Sequence, residues 1–198
     1  LIQPVEWRPT INRASGDSTS RAAPTRVFVA CDGPRTGRPD EATAVQACRA
    51  LIDGSIDWPC TVERRYLESN KGCRCAVSGA LDWFFDRVEE GVVLEDDCVP
   101  HEDFLPYCAE LLARYRDDSR VWCVSGNSYQ DAHQRGDGSY YFSRYNHVWG
   151  WASWRRAWQH YDVTLQRWPA FKAAGLVAGI FEDPLEGRYW SDLWDGVH

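Results

Sequence analysis

The chain has no methionine, not even at its first position, which points to a processed or trimmed chain. No apolar run approaches the ~20 residues that cross a bilayer, and the first residues lack the charged, apolar and small-residue order of a signal peptide. A soluble, cytoplasmic protein without a transmembrane segment is the expectation. Basic residues are in deficit: 22 Lys and Arg stand against 29 Asp and Glu, a formal net charge of -7. Proteins held by phosphate backbones show a basic face or stripe, so no nucleic-acid partner is expected. A single nucleotide stays compatible, because a metal ion can meet its phosphates. Cysteines are plentiful but unpaired in spacing, at 31, 48, 60, 73, 75, 98, 108 and 123. Several fall on apolar faces of expected elements and read as buried reduced thiols. Cys73 and Cys75 open like half of a zinc site, yet no second pair follows at a suitable spacing. Histidines add little. His101 follows an acidic stretch and is a candidate to approach a metal there, although a lone His after Pro is ordinarily a surface residue. His133, His147 and His160 lack ligand spacing, and no nucleophilic triad is evident.

What is present is enough for one globular domain: 198 residues, 44% of them hydrophobic and 26% charged. Residues 1–25 are rich in Pro, Ser and Thr without apolar periodicity and read as an irregular arm. From Arg26 the pattern alternates. A buried strand, Val27 to Cys31, precedes a helix near 40–52 with Ala44, Val45, Cys48, Leu51 and Ile52 on one face and Asp40 as its N-cap. A strand at Thr61 to Leu67 leads to a helix near 73–88 with Val77, Ala80, Leu81, Phe84, Phe85 and Val88 at helical spacing. A third strand, Val92 to Leu94, precedes a helix near 102–116 that buries Phe104, Leu105, Cys108, Leu111, Leu112 and Tyr115. Val121 to Val124 makes a fourth strand. This order predicts an α/β fold with a mainly parallel central sheet covered on both faces, Rossmann-like in its crossovers. The expected nucleotide-binding region is 26–127. The remainder, 128–198, is polar and aromatic, with a strand or hairpin at Tyr140 to Phe142, helices near 152–160 and 171–181, and the character of a second cleft wall.

Glu95, Asp96 and Asp97 follow the third strand directly. In an open parallel sheet the ligand lies beyond the carboxyl ends of the strands. Hard divalent cations take one or two carboxylates together with phosphate oxygens. Three acids after an apolar strand can also simply solvate a turn. Their position in this architecture favours a ligand, because packed like charges repel unless a cation or donor offsets them.

The stretch GVVLEDDCVPHEDFLPYCAELLARYRDDSRVWCVSGN, Gly91 to Asn127, resembles the metal-binding region of GT-A glycosyltransferases, with its DXD-type acidic motif. The likeness is to the family of the transferase that adds the first N-acetylglucosamine to N-glycans, and to bacterial nucleotide-diphospho-sugar transferases. VFVACDGPR near the start and HVWGWASWRRAW later extend it over most of residues 26–160. It implies a three-layer GT-A fold, a Mn or Mg cofactor and a nucleotide-sugar donor, with uridine as its base. Asp97 would be the metal ligand, and Glu95 and Asp96 would contact the sugar and ribose. Asp32 and Arg35 would meet the nucleotide. Arg35 suits a diphosphate through its planar fork, or is a surface arginine in a Gly-Pro turn. Arg74 stands where the resembling enzyme has a nucleotide-contacting His, with Lys71 as a nearby competitor.

Trp149 and Gly150 lie in a Trp-Gly-Trp run resembling that of the bacterial relatives. They are acceptor-side candidates, since indole rings stack on sugar C–H faces and Gly admits close backbone approach. Trp151, Trp154 and Trp158 read as core. Asn127 is a candidate acceptor-hydroxyl contact or a plain turn residue. The resemblance implies inverting transfer to a glycan or other hydroxyl acceptor, with an Asp or Glu base in a Trp- and Asp-rich segment. Asp192 and Asp195 are the local match, and the family's base-bearing segment is expected beyond His198. A sugar-phosphate nucleotidyltransferase would need a Gly-, Arg- and Lys-rich loop that CDGPRTGR replaces poorly. A glycan-binding or structural module with inert carboxylates is the non-enzymatic alternative.

Overall fold

The computed structural model describes residues 24–130, 133, 134 and 136–197. Most of the expected arm therefore lies outside the described residues. The fold is mixed α/β. Its elements run β1 Arg26–Cys31, α1 Pro39–Ser55, β2 Thr61–Tyr66, α2 Gly72–Phe85, β3 Glu90–Val93, α3 Phe104–Tyr115, β4 Cys123–Ser125, β5 Trp151–Trp154, α4 Arg155–Trp158, α5 Trp168–Ala173 and α6 Pro184–Val197, with a short 3-10 turn at Leu176–Gly179. Among the described residues no helix is long and apolar enough to cross a membrane.

The chain forms two compact units, the first ending at Gln159 and the second starting at His160. The expected division after residue 127 is thus displaced, because the chain returns after 150 to complete the first unit's sheet.

Two small sheets replace the single, mainly parallel sheet. β1 and β2 pair in parallel, Arg26 opposite Thr61 through Cys31 opposite Tyr66. β3, β5 and β4 form the other sheet, with β5 between the other two and antiparallel to both. β5 is the main departure from expectation, which placed a helix over 152–160. The tryptophan spacings are compatible with a helix, but the strand is buried throughout and its side chains alternate between two cores. Trp151 packs with Phe28, Phe84, Phe85 and Val93 on one side, while Ala152 and Trp154 pack with Cys108, Leu111 and Val124 on the other. Only α4 remains of the expected helix. Tyr140 to Phe142 form no strand.

α2 and α3 bury the faces their periodicity predicts. Ala80, Leu81, Phe84 and Phe85 of α2, and Phe104, Cys108, Leu111 and Leu112 of α3, are all buried. Burial also pushes the thiols of Cys108 and Cys123 up to about 12. Cys48, Cys73 and Cys75 are exposed, contrary to the expectation of mostly buried thiols.

α1 departs further. It buries no residue fully, and Leu51 is 71% exposed. Its inward stripe is Glu41, Val45, Arg49 and Ile52, so Ala44, Cys48 and Leu51 turn outward. The polar Arg49 sets this rotation: its guanidinium donates to the carbonyls of Leu67 at 2.7 Å and Asp32 at 3.1 Å. The helix starts with Pro39 after Arg38, which places Asp40 in the first turn rather than at the cap.

In the second unit, Trp168 is buried and packs against Trp194 at 4.9 Å between ring centroids, and Phe181 stacks on Trp190. α6, unexpected from the sequence, carries both tryptophans.

Phe84, with no exposed surface, joins the β1 and β3 sides of the core in the first unit. Phe84→Ala is expected to destabilise by about 3–5 kcal/mol, measured by chemical denaturation.

Candidate functional site

Register brings three segments of the first unit to one edge. Trp151 of β5 lies opposite Val93 of β3 and opposite Ser125 of β4. β3 and β4 therefore run parallel and end level with each other, while β5 begins there. Glu95 to Asp97 leave this edge after β3, Gly126 and Asn127 leave it after β4, and Trp149 and Gly150 enter it before β5. Neighbouring strands are spaced ~4.8 Å apart, so the roots of these segments are close together.

Side chains lock the arrangement. The Gly126 N–H donates to the Gly150 carbonyl at 3.0 Å. Gly150 has φ +75°, a conformation that favours glycine. A Cβ at Gly150 would meet the Phe104 ring at 3.2 Å and Leu94 at 3.5 Å. Phe104, the first residue of α3, thus forms the apolar floor beneath this edge. Asn127 accepts a hydrogen bond from the Ser125 hydroxyl at 3.1 Å. Its amide NH2 group has no partner among the described residues.

The acids of the first unit fall into those paired with an arginine and those, including Asp57, Glu68, Asp86, Glu102 and Asp117, without a basic partner among the described residues. Glu41, Asp53, Glu63, Glu89, Glu90 and Asp118 each pair with an arginine. Among the described residues no basic side chain pairs with Glu95, Asp96 or Asp97; the one side-chain contact is from the Cys98 thiol, 3.9 Å from Asp97. Glu95 is half-buried, and Asp96 and Asp97 are exposed. Val99, two residues beyond Asp97, is 96% exposed. No group of three His, Cys, Asp or Glu among the described residues is arranged to hold a metal ion. The cluster therefore offers separate carboxylates rather than a closed cage.

A second set of loops meets at the carboxyl ends of β1 and β2. The Asp32 carboxylate accepts from the backbone N–H groups of Gly33 at 2.8 Å, Lys71 at 2.9 Å and Gly72 at 3.1 Å. It caps the amino end of α2 from a distant part of the chain, in a favourable place for a negative charge. Asn70 donates from its amide to the Gly33 carbonyl at 3.1 Å. Gly33 lies so close to Ser69 that a Cβ would fall 2.5 Å from its backbone. Arg49 bonds both loops from below, and its guanidinium stacks over Tyr66 at 4.8 Å.

α2 links the two sets. Asp32 holds its amino end, while Arg155, immediately after β5, donates to the Phe85 carbonyl at its carboxyl end. α2 thus runs opposite to β1 and β3, and the Asp32 loop and the acidic loop face the same end of the first unit.

No family model, curated protein or solved structure matches the chain.

The structure draws together Glu95, Asp96, Asp97, Asn127, Trp149 and Gly150. It gives Asp32 a structural duty. Arg35 is engaged by Glu41, through its Nε at 2.8 Å and its backbone N–H at 3.1 Å. Arg74 occupies the first turn of α2 and is exposed, as is Lys71 at its cap. His101 contacts Asp103 at 3.3 Å. Trp151 and Trp154 are core, as expected, and Trp158 is half-buried against that core with its N–H donated to Asp82 at 2.8 Å. In the second unit, Asp195 accepts from the Trp168 indole at 2.8 Å and pairs with Lys172 at 2.5 Å. Both its oxygens are therefore occupied, which does not suit a general base; Asp192 is exposed. Arg49 was missed by the sequence reading. Its signal was a polar residue at the centre of α1's inward stripe.

Arg49→Met is expected to cost about 1–3 kcal/mol by leaving the two carbonyls without their donor, and to speed amide exchange at Leu67 to Gly72 more than elsewhere. Hydrogen-exchange mass spectrometry with a denaturation curve checks both. The Arg35 side-chain hydrogen bond, its backbone N–H and its charge hold Glu41 down from 4.5 to about 2. Any stability from this pair is complete above the ordinary carboxylate pKa and is lost as pH falls through the folded value. In an NMR titration, the Glu41 carboxyl should remain ionised at pH 3.5; protonation there would contradict the pairing.

Proposed function

We propose that the chain carries the donor site of a metal-dependent glycosyltransferase of GT-A type, one that uses a nucleotide-diphosphate sugar, with uridine as the base, and inverts configuration. The observation that carries this reading is the shared edge. Carboxylates without basic partners stand beside an unpaired amide and an exposed indole, over an apolar floor, at the carboxyl ends of two parallel strands. Ligands of open α/β sheets bind beyond such ends. The parallel β1–α1–β2 unit, with its loop locked to the amino end of α2, supports the Rossmann-like half of the proposal.

A Mg or Mn ion here would be held by one carboxylate and completed by diphosphate oxygens and water. Asp97 is the assigned ligand. Such an ion, when bound, neutralises charge on the diphosphate leaving group. Glu95, half-buried at the strand end, and Asp96 accept hydrogen bonds from sugar and ribose hydroxyls. The Asp32 loop forms the nucleotide side, with Arg74 and Lys71 on the adjoining helix end. Arg35 must leave Glu41 to meet a phosphate. Asn127 and Trp149 face the acceptor, a glycan or other hydroxyl compound. The base is assigned to neither Asp192 nor Asp195.

Calorimetric titration of UDP-N-acetylglucosamine and of UDP tests this assignment. Binding with Mn is expected to weaken at least roughly tenfold with excess chelator or in Asp97→Ala, equivalent to about 1.4 kcal/mol. Binding that is equal with and without metal, or unchanged in Asp97→Ala, would contradict the metal role. No binding of either ligand with Mn would contradict the donor site.

A further inference from the structure

Helix α6 of the second unit has two contrasting faces. Inward, Gly187 is buried, and a Cβ there would meet the Val177 side chain at 3.5 Å. On the same side Trp190 stacks on Phe181 and Trp194 packs edge-on against Trp168. Outward, Leu185, Tyr189 and Leu193 are 73%, 63% and 46% exposed. Their spacing of four residues sets them in one ridge along the helix, about 12 Å long. Single exposed apolar residues are ordinary on a protein surface, whereas a contiguous apolar patch marks a site of association. Arg188 and Asp192 border the ridge on one flank, a turn apart. Both are exposed, and neither has an ion-pair partner among the described residues. A basic residue four positions before an acidic one is the less favourable order for pairing within a helix.

We infer that this ridge is a self-association surface, on which α6 of a second copy of the chain packs antiparallel about a two-fold axis at Tyr189. Charge selects that occupant. A two-fold interface must be complementary to itself. Reversing the helix direction about Tyr189 sets Leu185 of each copy against Leu193 of the other, and Arg188 of each beside Asp192 of the other. Two ion pairs thus form from groups that have none within the chain, and the apolar ridge is covered along its length. A parallel pair would leave Asp192 without a basic partner. An anionic membrane surface, or a partner of one charge sign, would attract one of the two flanking groups and repel the other. The ridge is short, so the contact lies at the low end of interface size and supports a weak, concentration-dependent dimer. Neither metal nor nucleotide takes part, so this contact does not rest on the transferase reading.

Sedimentation velocity on the full chain, without metal or nucleotide, tests the pairing from roughly 1 to 300 μM. A reductant keeps the exposed thiols of Cys48, Cys73 and Cys75 from cross-linking the copies. A monomer–dimer equilibrium is expected, weakened at least roughly tenfold in Tyr189→Ala and in Leu193→Ala. Charge reversal gives the sharper readout. Arg188→Glu and Asp192→Arg are each expected to weaken the dimer roughly fivefold or more, because each sets like charges together. The double reversal restores both pairs and should return association to within roughly twofold of the wild type. Circular dichroism of every variant should match the wild type, since all four positions are exposed. A monomer throughout the concentration range, a dimer insensitive to both ridge variants, or a double reversal no better than the single ones would overturn the inference.

Discussion

Strand β5 imposes the constraint on which the candidate site depends. By pairing antiparallel with both β3 and β4, it fixes those strands parallel to one another and ends them at the same level, opposite Trp151. A slip of one residue in either ladder would send Trp151 and Ala152 to the wrong cores, since successive side chains point to opposite faces. Apolar burial on both sides therefore specifies the register, and the register gathers the acidic loop, the Asn127 turn and the Trp149 entry. Gly150 completes this edge by bending the chain over Phe104 without a side chain to obstruct it.

Two different polar solutions flank that edge. At the Asp32 loop, the carboxylate meets backbone N–H groups and Arg49 meets backbone carbonyls, so charge organises the main chain. At the acidic loop, adjacent like charges have no basic side chain against them among the described residues, although arginines neutralise many other acids of the same unit. The first arrangement rigidifies two connections. The second leaves a negative potential at a position to which a mobile cation can be drawn.

Much of the first unit was legible from periodicity. β1, β2, β3, α2 and α3 sit within a few residues of their expected positions; β1, β3, α2 and α3 bury the runs or faces that their patterns marked, while β2 is held by its parallel pairing with β1. Three features were not. Trp151 to Trp158 carry a helix-compatible spacing, but the gap between β3 and β4 demanded a strand, and tertiary pairing overrode the local pattern. In α1, Ala44, Cys48 and Leu51 looked like the buried face, whereas the capacity of Arg49 to bond two strand-end carbonyls turned the helix. α6 combines Trp190 and Trp194 at helical spacing with Asp192 and Asp195, which were read for their resemblance to a base-bearing segment and not for their periodicity. Of the candidate site, the position of Glu95 to Asp97 after a strand was readable. That Asn127 shares their edge required the ladder register. That Asp32 and Asp195 are occupied by structural partners required the folded contacts.

Segments separated by some fifty residues of chain converge on one edge of the first unit, which we propose binds a cation. Paramagnetic broadening by Mn in the presence of UDP, followed on backbone amide resonances, measures that convergence directly. The account predicts selective loss of signals from residues 95–98, 126–127 and 149–150, with α6 signals serving as a comparison for nonspecific broadening. Broadening confined to other acidic surfaces, or confined to residues 95–98 while the 126–127 and 149–150 signals stay sharp, would contradict it.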